Sequence, residues 1–329
     1  MTNPLFFRVI LLLCCLPLIP SCAASFPQLF PYALKPKDSF FPSPEGIRIL
    51  CSKGLKLLDT HGKPVEELSD LAWDADENIL YAISDEGWLY HLKFEEKNGV
   101  IENVSVIAEY RLRDKKGRYL KKKWRDSEGL TSKYQNNKIS GDTELLVAFE
   151  GKPRIARYTP QGKYLGEIKL PEKLWHKKTY RGKNKALESV AIHPDYGVVT
   201  AAEYPVRKNP MSQQTLYSAK GKEWDFSASH AKNSAVTGLE VMPNGDLLVL
   251  ERAWAGVQNP VVIALSELSL ADGVKHTKRK KLAIMSSTEG WLLDNFEGLT
   301  HYSNDQYLMV SDDGGNSFQT TVLVLFEVH

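Results

Sequence analysis

Eight carboxylates recur at matching places along this 329-residue chain, and they are the residues whose type and spacing suit chemistry best. Glu128, Glu188 and Glu297 each open a short apolar run, and Asp85, Glu150, Glu203, Glu251 and Asp312 each close the run that follows. Hard oxygen donors gathered without His or Cys suit Ca²⁺, with Mg²⁺ or Mn²⁺ as poorer fits. Like charges that close also raise one another's pKa or call for a counter-cation. Internal arginine is the other way to balance them, and Arg154, Arg157 and Arg252 follow the second runs closely. If the protein is an enzyme, metal-assisted hydrolysis is the economical mechanism, with Glu128, Glu188 or Glu297 accepting a proton from an attacking water.

The elements that must position these acids are hairpins. In Asn295-Phe-Glu-Gly-Leu-Thr-His-Tyr-Ser-Asn-Asp-Gln-Tyr-Leu-Met-Val-Ser-Asp312, two strands flank a polar turn, so Glu297 and Asp312 belong at one end of one hairpin. The same unit starts near Ser69, Glu128, Glu188 and Thr237. Five copies at a period of roughly 50 to 60 residues, each followed by two further strand-like runs, predict an all-β propeller with one copy per blade. Five blades follow from the repeat count, and six remain open if the N-terminal strands form their own. Ile47-Arg-Ile-Leu-Cys or Leu55-Lys-Leu-Leu is expected to complete the last blade, because only three strands precede His329. The acids, with Asp70 nearby, then ring one mouth of the central channel.

Net charge is only +2, yet the bases are clustered in Arg111–Arg125, Lys173–Lys185 and Lys275–Lys281. All three runs are expected on the face of the acidic ring, together with Arg154, Arg207 and Arg252 as substrate-binding groups. An acidic centre inside a basic rim suits a small anionic substrate, phosphate esters above all. Dispersed loop charge is the bland alternative. His193 and His301 are expected to pack or to face solvent.

Residues 1–22 hold one early charge, Arg8, then an apolar run too short to span a membrane, as in a secretory leader. Ile19-Pro-Ser-Cys22 resembles a bacterial lipoprotein box in which Cys22 is lipidated, while Ser21-Cys-Ala23 fits ordinary cleavage. The expected location is the periplasm or outer envelope, with a membrane met only through a lipid on Cys22. Export argues against nucleic acid as the partner of the basic runs. Residues 23–46 are rich in Pro and aromatics and read as a tether or strap, and residues 47–329 as the propeller, expected as a monomer. Only Cys51 remains in that body, so no intrachain disulfide can form there.

The ordered set Leu68-Ser-Asp-Leu-Ala, Asp126-Ser-Glu-Gly-Leu, Phe149-Glu-Gly-Lys-Pro-Arg-Ile, Asn184-Lys-Ala-Leu-Glu-Ser-Val-Ala, Gly238-Leu-Glu and Asp294-Asn-Phe-Glu-Gly-Leu resembles the bacterial phytase-like domain family. The resemblance runs from about residue 66 to the C-terminus. It implies a propeller related to calcium-dependent phytases and an esterase-like or phosphoesterase activity. Ala186 stands where that family would usually have glycine, and Gly314-Gly-Asn follows the paired aspartates Asp312 and Asp313. A non-catalytic propeller that binds a ligand or an envelope partner is the alternative of a different class. A lactonase-type propeller is disfavoured by the number of acids.

Overall fold

The computed structural model describes residues 28–35, 42–229, 231–256, 258–316 and 319–329. The proposed leader and Cys22 lie outside the described residues. The first two strands are β1 (Leu29–Pro31) and β2 (Ile47–Leu55). Blade 1 follows as β3 (Leu68–Asp74), β4 (Ile79–Ser84), β5 (Trp88–Lys97) and β6 (Val100–Arg111). A single helical turn, α1 (Lys122–Arg125), leads into blade 2, built from β7 (Ser127–Lys133), β8 (Glu144–Phe149), β9 (Arg154–Tyr158) and β10 (Tyr164–Ile168). Blade 3 is β11 (Leu187–His193), β12 (Gly197–Ala202), β13 (Gln213–Ser218) and β14 (Glu223–Ser227). Blade 4 is β15 (Ser234–Val241), β16 (Leu247–Ala253), β17 (Val262–Leu268) and β18 (Arg279–Ser286). Blade 5 begins with β19 (Asn295–Ser303), β20 (Gln306–Asp312) and β21 (Val322–Val328).

Each blade is an antiparallel sheet, and the last is completed from the other end of the chain. β2 pairs with β21, and β1 adds a fifth strand outside it. The ring has five blades and is closed by the N-terminal strand, as the repeat count implies. Part of the segment read as a tether is thus a strap: β1 joins the sheet, and Leu34 enters the core between blades 4 and 5.

The second strands read as unbroken apolar runs because both their faces are covered by neighbouring blades. Leu247-Leu-Val-Leu250 is fully buried, as are Leu145-Leu-Val-Ala-Phe149 and Leu80-Tyr-Ala-Ile83 apart from traces of exposure. Turns between first and second strands use residues that tolerate left-handed backbone, such as Asn78 (φ 54°) and Gly245 (φ 89°).

The five innermost strands, β3, β7, β11, β15 and β19, each contact the next around the channel. Every one of them carries a register break against its second strand. The residue passed over is Ser69, Glu128, Glu188, Thr237 or Glu297. A bulge of this kind bends the strand and re-aims the extra side chain. In blades 2 and 5 the following position must be glycine, because a Cβ on Gly298 would sit 2.7 Å from Asp70 Cα, and one on Gly129 2.8 Å from Ser189 Cα. Gly298→Ala should therefore cost about 1–3 kcal/mol through overpacking, read as a lower denaturation midpoint with an unchanged m-value; an unaltered midpoint would refute this close approach.

Candidate functional site

The bulges and the ends of the second strands together form the acidic ring. Register gives the equivalences. Asp85, Glu150, Glu203 and Asp312 each follow the residue that pairs with the start of the bulge: Ser84, Phe149, Ala202 and Ser311. In blade 4 the residue paired with Val236 is Glu251 itself, so Arg252 takes the equivalent place. Successive strand side chains point to opposite faces, and one residue of offset therefore turns Glu251 away. It lies in the seam between blades 3 and 4, where Arg279 Nη2 is 2.9 Å away and Ser229 N and Ser234 Oγ donate to it at 2.8 and 2.9 Å. The expectation that all five second strands deliver an acid to the ring is corrected on this point.

Glu150, Glu188 and Glu203 bring carboxylate oxygens within 4.8 Å of one another, and Asp126, Glu128 and Glu150 form a second such group sharing Glu150. A third group, Glu67, Asp85 and Glu86, lies beyond them, with Glu86 paired to Arg125. Glu297 and Asp312 meet through Asn295, whose Nδ2 donates to both at 2.8 and 3.2 Å. The sequence thus places seven of its eight acids correctly, at Asp85, Glu128, Glu150, Glu188, Glu203, Glu297 and Asp312.

Among the described residues, two cations lie within ion-pair distance of ring glutamates. Lys185 Nζ lies 2.7 Å from Glu203 Oε2, and Arg252 Nη2 lies 3.3 Å from Glu203 and 3.6 Å from Glu297. The remaining acids rely on weaker help. Glu150 accepts from Ala186 N at 2.8 Å, and Asp312 accepts from Gly314 N at 2.8 Å. Glu188 is 7 % exposed, and its buried Oε2 has no hydrogen-bond partner among the described residues.

Burial and mutual repulsion show in the titration of these groups. Desolvation, then the nearby Glu203 and Asp126 charges, push Glu150 up to about 8, against the help of Ala186 N. Desolvation, with Glu67 and Asp312 as neighbours, takes Asp85 to about 8. Glu297 also reaches about 8 by desolvation despite Arg252, and Asp312 about 6. Glu128 and Glu188 are raised well above the usual carboxylate range, first by burial and then by neighbouring glutamates.

Asp70 does different work. Its carboxylate accepts from Leu71 N, Leu130 N and Leu299 N at 2.8, 2.7 and 2.9 Å, so it ties blade 1 to blades 2 and 5 at the channel. It replaces the glycine or serine found at that register in the other innermost strands. Its role was not legible beyond its nearness to the ring. Glu67, Lys185 and Asn295 were missed as ring members, although Lys185 and Asn295 stand only three and two residues before ring glutamates.

The basic groups divide. Arg252 is in the ring. Arg154 is not: its Nη1 and Nη2 donate to Lys152 O and Trp124 O at 3.0 and 2.6 Å, and the guanidinium lies over Phe149. Arg157 pairs with Glu144 instead of a ring acid. Arg207 is on the exposed rim, bound through its backbone to Thr179. Lys275–Lys281 does not join the ring face. It spans the connection from β17 to β18, which leaves the blade at the end where Leu268 pairs with Leu247, away from Arg252. His193 Nδ1 accepts from Asp195 N, and His301 Nε2 contacts Asn304 O, both in hairpin turns at the opposite mouth.

Residues 63–315 match the sequence profile of the phytase-like family, described as esterase-like activity of phytase. The chain belongs to the phytase-like family. Membership supports a hydrolase-like role in general terms. A search of curated proteins finds no match to this phytase-like chain. Solved structures similar to it include the Dos1 propeller, at 10% identity and TM-score 0.34, covering 84% of this chain and 73% of that one. The PQQ-bound aldose sugar dehydrogenase of Streptomyces coelicolor is 12% identical at TM-score 0.42, covering 88% of this chain and 100% of that one. The RRP9 WD40 repeats are 9% identical at TM-score 0.47, covering 88% and 99%. These distant likenesses bear on no residue of the phytase-like site.

Two outcomes follow. Asp70→Ala should remove about 3 kcal/mol or more of stability, since it strands three buried amides; a loss under about 1 kcal/mol by chemical denaturation would show that Asp70 does not tie the blades. The ring acids bind protons more tightly folded than unfolded, so folding takes up protons between the ordinary carboxylate range and about pH 8. Stability of the metal-free protein should fall as pH rises through that window. Glu150→Gln should flatten the slope and raise stability at pH 8.5 by at least about 1 kcal/mol; an unchanged pH profile would contradict it.

Proposed function

We propose that this phytase-like propeller is a calcium-dependent hydrolase of anionic esters, phosphate esters first. The observation that carries the reading is the buried Glu188 Oε2, which lacks a hydrogen-bond partner within the Glu150–Glu188–Glu203 group. An orphaned carboxylate oxygen among other carboxylates fits a hard divalent cation, so the donor set accepts the ion. Glu150 and Glu188 would hold it, with Glu203 beside them. Calcium bound there would supply positive charge for a phosphate or carbonyl oxygen and for acidifying a water. Glu128 is the best-placed proton acceptor: it is half-buried, surrounded by acids and free of an ion pair among the described residues. Arg252 and Lys185 hold Glu203 and Glu297 in place and present positive charge to an incoming anion.

Glu188→Gln should keep the fold, abolish calcium-dependent thermal stabilisation, and lower hydrolysis of p-nitrophenyl phosphate and p-nitrophenyl acetate by roughly 100-fold or more. Metal content by mass spectrometry and turnover with calcium or a chelator check this. Full turnover in the mutant, or in chelator, would defeat the proposal.

A second reading has its own observation. Glu203 and Glu251 are already neutralised by Lys185, Arg252 and Arg279. Internal pairing of this kind supports a propeller that binds a ligand or envelope partner without turnover, and absence of both metal and hydrolysis would favour it.

The leader-like residues 1–22 support export to the periplasm or outer envelope, with Cys22 lipidated. Metabolic labelling with a fatty acid should mark the wild type and leave Cys22→Ser unmarked; equal labelling of the two would rule out Cys22 as the acceptor.

A further inference from the structure

A cavity of about 540 Å³ lies outside the ring on blade 2, between the β6–β7 connection and the outer strands β9 and β10. Its base includes Arg154, which is 8 % exposed. The guanidinium donates only to neutral groups: Lys152 O, Trp124 O and the Tyr158 hydroxyl. No carboxylate pairs with it among the described residues. Glu167 at the cavity's edge acts on it only through space. A nearly buried, unpaired guanidinium is expensive to hold, and its fork of donors matches an anion's oxygens.

The walls repeat the theme. Lys115, Lys116, Lys121 and Lys123 line the cavity, and none pairs with a carboxylate among the described residues. The one arginine of the wall that is neutralised, Arg118, is taken by Asp114. Between these cations stand aromatic surfaces. Trp124 is 37 % exposed and Tyr119 53 % exposed, with Tyr158 and Tyr164 behind. Trp124 already carries Arg154 and Lys152 over its ring, 5.3 and 5.6 Å from the centroid. Positive charge alone would suit any anion. Charge interleaved with exposed rings suits an anion that also has a flat body to stack.

We propose that this cavity binds anions bearing an aromatic body, the class of aryl and nucleoside phosphates, with Arg154 and the four lysines on the charged end and Trp124 and Tyr119 against the ring. The site is separate from the acidic channel and does not depend on a metal or on turnover there.

Titration calorimetry with AMP, in the presence of a chelator, tests it alongside inorganic phosphate and adenosine. AMP should bind at least about tenfold more tightly than either fragment, and binding should weaken as salt rises. The double variant Lys116→Glu, Lys121→Glu should melt as the wild type does and lose at least about tenfold in AMP affinity. Arg154→Met should lose as much; should it fail to fold, the double variant decides. No AMP binding at millimolar concentration, affinity unaltered in the double variant, or phosphate binding as tightly as AMP would each overturn the proposal.

Discussion

Closing a ring with only five blades is the constraint on which the rest depends. The innermost strands approach so closely that backbone lies against backbone, and the position after each bulge is Gly, Ser or the bridging Asp70. The bulge lets each strand bend into the ring, and it turns one extra side chain toward the mouth. Three of those side chains are glutamates, so charge is pressed into a space with little water.

The ring balances this charge unevenly. On the side of blades 3, 4 and 5, Lys185, Arg252 and Asn295 hold Glu203, Glu297 and Asp312. On the side of blades 2 and 3, Glu128, Glu150 and Glu188 have a backbone hydrogen bond at one carboxylate and no direct ion pair among the described residues, and Lys185 and Arg252 act on Glu150 and Glu188 only through space. Direct ion pairing in the ring is therefore confined to one side of the mouth, and on the other side the carboxylates face mainly one another.

Basic residues follow the same economy. Those nearest the ring are spent on its acids. Those on the β6–β7 connection surround a cavity of their own, the β17–β18 connection runs along blade 3 at His276, and Lys280 at the start of β18 pairs with Glu267. A chain with nearly balanced net charge thus presents locally distinct surfaces, because each blade connection emerges at a fixed end of its sheet.

The repeated hairpins, the five blades, the closing N-terminal strand and seven of the eight ring acids were legible in the amino-acid order. Each of these depends on local alternation and on a period that any blade must share. Glu251 was misplaced because a single residue of register decides which face a strand side chain takes, and only pairing with Val236 settles that register. Lys275–Lys281 was placed on the wrong face because its strand, β18, had to be recognised before the direction of the loop could be known. Arg154 and Asp70 depend on partners from other segments: a carbonyl at Trp124 and amides at Leu130 and Leu299. Sequence alone determined which residues repeat. Tertiary structure decided which of them face one another, because charge compensation acts through space between blades and leaves no mark in the spacing along the chain.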